Sequence, residues 1–68
     1  MIEKYISLLN HKVIVTCING IVIRGKWIDC LYGEDASDEE RQEDSILIAN
    51  GKFLTEIYES EIKTIQGD

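Results

Sequence analysis

Proline is absent from this 68-residue chain, which also has one histidine, one tryptophan, one phenylalanine and two cysteines. Each scarcity excludes something. Cys17 and Cys30 are too few and too irregularly placed for a disulfide framework or a zinc site; a bridge between them would need an oxidising compartment. His11 has no second imidazole with which to share a metal, and no acid or nucleophile at a diagnostic spacing. The chain shows no Ser/Cys–His set, no paired carboxylates in an apolar stretch and no glycine-rich phosphate loop. The expectation is therefore a non-enzyme without metal or cofactor. No apolar run approaches the ~18 residues of a membrane helix, and "MIEKYISLLN" carries Glu3 and Lys4 where a signal peptide needs an unbroken apolar core. A cytoplasmic protein with reduced thiols and no membrane partner is expected. Without proline, nothing blunts the edges of any strands, which stay open to pairing with another copy.

The net charge of −6 is confined to one place. The segment "EDASDEERQED" holds Glu34, Asp35, Asp38, Glu39, Glu40, Glu43 and Asp44 against Arg41 alone, and acids balance bases over the rest of the chain. The body is neutral, so bulk acidity does not by itself exclude a nucleic-acid ligand. Residues 33–45 read as an acidic loop in a single domain spanning 1–68. Ser37 and Glu40 have capping-box spacing, but like charges repel within such a helical turn, which leaves a solvated loop as the default. Calcium is not expected there: the sharp glycine turn and the alternating ligands of a calcium loop are missing.

A domain this short buries only about 60% of its unfolded surface. With no metal or disulfide framework available, self-association is the remaining source of extra stability. Ile2, Tyr5, Ile6 and Leu9 share one face of a 3.6-residue period, which predicts a short helix over Met1 to Leu9, ended by Asn10 to Lys12. Val13 to Ile18 alternate as a strand. Asn19–Gly20 marks a hairpin in which both residues tolerate positive φ. A second strand runs from Ile21 to about Leu31, with Ile21, Ile23 and Trp27 on one face and Val22, Arg24, Lys26 and Ile28 on the other. Gly25 falls on the inner face, where it permits a sharp bend or a close backbone approach. Further strands are expected over Ser45 to Ala49, Lys52 to Glu59 and Glu61 to Gln66, with a tight turn at Asn50–Gly51 and a corner at Ser60. The fold class is mainly β: a short N-terminal helix and a strongly bent five-stranded antiparallel sheet.

The order of these elements resembles the Sm-like (LSm) family, and most closely its bacterial Hfq branch. Val13, Val15, Cys17, Asn19, Gly20, Ile21, Ile23 and Gly25 resemble the family's first motif. Tyr58, Ile62, Thr64 and Ile65 resemble the second motif of the bacterial branch, with the acidic segment as an insertion between strands two and three. The resemblance implies a small SH3-like barrel. It also implies rings of six or seven copies closed by pairing the fourth strand of one with the fifth of the next. Phe53, Ile57, Tyr58, Ile62 and Ile65 are then the expected interface residues. RNA is the implied ligand. The departures are specific. Leu31 stands where the family has an aspartate, Glu59 and Ser60 where the bacterial branch has lysine and histidine, and Thr16 where it has a stacking aromatic.

Gly20, Ile21, Arg24, Lys26 and Tyr32 are the candidate RNA contacts: a turn, two cations that Lys12 can supplement, and an aromatic near the loop. A basic face is also what an ordinary solvated strand looks like, and Trp27, in phase with Ile21 and Ile23, belongs to the core. Two functional readings follow. One is a non-enzymatic binding and assembly module that associates with itself and carries RNA. The other is an acidic interaction protein (an inhibitor, immunity factor or nucleic-acid mimic) whose segment Glu34 to Asp44 docks a basic protein surface.

Overall fold

A computed structural model describes residues 2–33 and 43–68. Of the acidic segment, Glu34, Asp35, Asp38, Glu39 and Glu40 lie outside the described residues. A 3-10 helix, Ile2–Leu8, is followed by β1 (Lys12–Cys17), β2 (Val22–Leu31), β3 (Ser45–Asn50), β4 (Phe53–Tyr58), a 3-10 turn (Glu59–Glu61) and β5 (Ile62–Gly67). The strands form one antiparallel sheet in the order β4-β3-β2-β1-β5, which does not close on itself. Alternation and β-branching in the sequence account for all five strands.

The N-terminal helix departs from the 3.6-residue expectation. In a 3-10 helix residues i and i+3 eclipse, so Ile2, Tyr5 and Leu8 share the inner face. Ile2 is buried, Tyr5, Leu8 and Leu9 pack against the core, and Ile6 is left 42% exposed. The helix ends through i to i−3 bonds, Leu9 N–H to Ile6 C=O and His11 N–H to Leu8 C=O, both 3.0 Å. Asn10, at φ +72°, then turns the chain into β1, and its N–H donates to Trp27 C=O at 2.7 Å.

The first hairpin is also not the two-residue turn expected. Gly20 alone has positive φ (+91°), and its N–H donates to Cys17 C=O at 2.9 Å, while Cys17 N–H donates to Ile21 C=O at 2.8 Å. This is the pattern of a type I turn followed by a left-handed glycine in a bulge. Asn19 serves through its side chain: Oδ1 accepts the Ile21 N–H at 3.1 Å. The second turn is a two-residue loop, Gly51–Lys52, between paired Asn50 and Phe53, and Gly51 at φ +60° suits its first position.

Both readings of Gly25 meet in β2. The first half of this ten-residue strand pairs with β1, its second half with β3, and Lys26 belongs to both ladders. A Cβ at Gly25 would sit 2.5 Å from Ala49 O and 2.7 Å from Ile48 Cγ2. Three residues on, a bulge at Ile28 shifts the register between Trp27 and Asp29. The bulge reverses the alternation: before it the odd residues Ile23 and Trp27 face in, after it Cys30 does. A second bulge, at Lys63, lets Thr16 pair with Thr64 and Cys17 with Ile62. The core joins Ile2, Val13, Val15, Cys17, Trp27, Ile46, Ile48, Ile57, Ile62 and Ile65. Trp27 is wholly buried, and its Nε1–H donates to Asp29 C=O at 2.9 Å, so the indole leaves no polar atom unpaired.

Candidate functional surfaces

Open strand edges are the main feature. β4 and β5 stand at the two ends of the sheet, so among the described residues each has a neighbouring strand on one side only. Phe53 and Leu54, at the start of β4, are 75% and 65% exposed. Facing β4 across the open side, the β1–β2 turn presents Ile18, 68% exposed, and Ile21. Between them is a pocket of about 280 Å³ lined by Cys17, Ile18, Asn19, Ile21 and Ile23 on one wall and by Thr55, Glu56, Ile57 and Glu61 on the other. Burial, and secondarily the charge of Glu61, push the Cys17 thiol above its ordinary pKa of 9.0. Such a thiol stays protonated and unreactive at neutral pH.

The expected interface residues divide. Ile57, Ile62 and Ile65 are buried within the single copy, Tyr58 is half-buried and Phe53 is exposed. Side chains facing inward on a bent sheet serve the core first; what they can offer a second copy is the backbone edge.

The second surface is basic. Cross-strand register sets Lys12 opposite Lys26 and Ile14 opposite Arg24, with Gln66 beyond Ile14 on β5. Lys12, Arg24 and Lys26 are all exposed on the outer face. Like charges directly opposite one another disfavour a sheet pair, so this ladder favours an anion across it. Asn50 Nδ2–H donates to Arg24 C=O at 3.0 Å, tying the β3–β4 turn to the backbone of this face. The other expected RNA contacts lie elsewhere: Gly20 and Ile21 at the pocket end of the hairpin, and exposed Tyr32 just beyond β2. The five are not brought into one site.

The third surface is the corner between β4 and β5. Glu43 Oε1 accepts both the Ser60 N–H at 3.1 Å and the Ser60 hydroxyl at 2.7 Å. Asp44 C=O accepts the Glu59 N–H at 2.8 Å, and Asp44 Oδ1 accepts the Gly33 N–H at 3.0 Å. Two of the expected partner-binding acids thus fasten the ends of the insertion to the corner. With Glu59 and Ser60 they line an open groove of about 570 Å³. Sequence reasoning gave no sign of this anchor, because Glu43 and Ser60 are 17 residues apart with no shared motif. The pocket between the β1–β2 turn and β4 was equally hidden, since its two walls are far apart in sequence. Among the described residues no group of three or more His, Cys, Asp or Glu side chains is placed to hold a metal ion, and no helix is long and apolar enough to cross a membrane. Comparison with protein-family models, with curated proteins and with solved structures finds no match to this chain.

Proposed function

We propose that the chain is a non-enzymatic, Sm-like binding and assembly module of the cytoplasm, which associates with copies of itself through the open edges of β4 and β5. The observation that carries the reading is the sheet order: two six-residue strands, each paired on one side only among the described residues, end the sheet and are joined to each other by a three-residue 3-10 turn. Exposed Phe53 and Leu54 beside one edge add apolar surface that a second copy can bury. RNA is the ligand the resemblance implies, and the surface suited to phosphate is the ladder of Lys12, Arg24 and Lys26. The corner is unsuited to it, because Glu59 and Glu61 set carboxylates there.

Two measurements test the reading. Light scattering after size exclusion should find an oligomer well below millimolar concentration; a monomer throughout refutes assembly. Fluorescence anisotropy should show oligo(A) or oligo(U) retained at moderate salt, and Arg24→Ala with Lys26→Ala should weaken binding by about tenfold. RNA that is ignored at low salt refutes the ligand.

A second reading, the acidic interaction module, is favoured by one observation: the groove at the corner brings Glu43, Asp44 and Glu59 together. It predicts that shortening or neutralising residues 34–44 abolishes capture of a basic protein surface and leaves RNA binding unchanged.

A further inference from the structure

The pocket between the β1–β2 turn and β4 has no part in the assembly or RNA readings. Its inner walls are apolar: Cys17 and Ile57 are buried and Ile23 is half-buried. Its mouth is apolar too, with Ile18 68% and Ile21 56% exposed. At about 280 Å³ it lies at the small end of ligand pockets, which start at about 300 Å³. It admits one ring or a short branched chain, not a folded partner. The two sides are fixed by backbone bonds. Ile18 N–H donates to Glu61 C=O at 2.9 Å, which fastens the β1–β2 turn to the corner after β4.

Two carboxylates line the pocket, and they are placed differently. Glu56 stands opposite Leu47 in the β3–β4 ladder, whereas Ile57 stands opposite buried Ile46. Alternation therefore puts the Glu56 side chain on the outer face of the strand, where Ser45 donates its hydroxyl to Oε2 at 2.7 Å. Glu61 is exposed beside the turn, and its charge reaches the inner wall: after burial, it is what raises the Cys17 thiol. Lys52 and Lys63, the bases closest in sequence to these two acids, are exposed and outside the lining. Among the described residues no base lines the pocket.

The order of these groups defines the ligand. Apolar walls are innermost and the carboxylate is at the mouth, so an occupant enters apolar end first and keeps a cation outside. Lysine and arginine side chains have the reverse order, with the charge at the tip. An apolar anion meets repulsion from Glu61. We propose that this pocket binds a small organic ammonium ion, with a one-ring apolar body between Ile23 and Ile57 and its charged nitrogen beside the Glu61 carboxylate. The inference goes beyond assembly and RNA binding and depends on neither.

Amide NMR titration of the full chain tests it with phenethylammonium, phenethyl alcohol, hydrocinnamate and methylammonium. Phenethylammonium should shift the amides of Ile18, Ile21, Thr55 and Ile57 and leave those of Lys12, Arg24 and Lys26 in place. It should bind about fivefold more tightly than hydrocinnamate at low salt, the modest factor that one solvent-screened carboxylate supplies. High salt should narrow that gap. Phenethyl alcohol should fall between the two, and methylammonium, with no body to bury, should leave the pocket amides unshifted. Glu61→Gln should erase the preference for the cation over the alcohol while the alcohol still binds, and Ile21→Ser should weaken both. Both positions are exposed, and circular dichroism checks that each variant is folded. The proposal is overturned if no probe shifts the pocket amides, if hydrocinnamate binds as tightly as the ammonium, or if Glu61→Gln keeps the preference. It is also overturned if N-acetyl-lysine amide, whose charge is at its tip, matches phenethylammonium.

Discussion

Gly25 and Gly20 are both glycines of necessity, for different reasons. At Gly25 the obstacle is a neighbour, since an added Cβ meets the Ala49 carbonyl at 2.5 Å. A backbone carbonyl cannot rotate away as a side chain can, so Gly25→Ala must separate β2 from β3. At Gly20 the space is open but φ is +91°, where a Cβ costs about 1–2 kcal/mol. Overpacking costs about 1–3 kcal/mol, and more where the obstacle cannot give, so urea titration should find Gly25→Ala the more damaging of the two. Equal midpoints for the two variants would contradict the close approach. Cys17 yields a pH dependence. Its thiol is raised above 9.0 in the folded chain, chiefly by burial, so folding favours the protonated form. That contribution is complete below the ordinary thiol value and is lost as pH climbs from it through the raised native one. Cys17→Val should accordingly lose less stability than the wild type as pH rises above 9.0.

At the scale of elements, the informative features are those that depart from regular periodicity. The N-terminal segment has apolar residues suited to both a 3.6 and a 3.0 repeat, and the choice falls to Ile2, Tyr5 and Leu8 because seven residues are too few to stabilise an α-helix alone. Docking decides instead. Ile6→Lys, on the exposed side, should leave the urea midpoint within about 0.5 kcal/mol, and Ile2→Ala should cost about 2–5 kcal/mol. An α-helical segment would make the two comparable. The corner supplies a second prediction. Glu43→Ala removes the acceptor of two Ser60 bonds. Amide exchange at Glu59 to Glu61 should accelerate severalfold while protection at Val13, Val15 and Ile48 holds, because the corner opens locally and the core does not.

At the scale of the molecule, one core of ten buried residues among those described draws on all five strands and the helix, and Trp27 is its largest fully buried side chain. Domains of this length have a few kcal/mol in hand. Trp27→Ala, at about 3–5 kcal/mol, should leave a single copy unfolded at 25 °C, which loss of near-ultraviolet circular dichroism would register. If copies associate through β4 and β5, wild-type thermal stability should also rise with concentration, since anything that binds only the folded chain stabilises it. Concentration-independent melting across two decades would contradict that coupling.

The sequence by itself determined the strand count, the places where the chain turns, and the separation of one acidic segment from a neutral body. Each of these is written within a few residues: β-branched alternation, an Asn-Gly pair at each turn (the second loop lies one residue later than that pair, at Gly51–Lys52), seven acids in eleven positions. It also marked Gly25 and Trp27 correctly as inward residues of one strand, because phase is conserved along a regular ladder. Tertiary structure alone decided where that phase breaks. The bulge at Ile28 turns Cys30 inward, and the one at Lys63 frees a lysine on the outer edge, because strands wrapping a small core must be accommodated by an extra residue. The pocket between the first hairpin and β4, and the hold of Glu43 on Ser60, depend on segments distant in sequence. No local pattern encodes them, for they exist only once the sheet has bent and set these segments side by side.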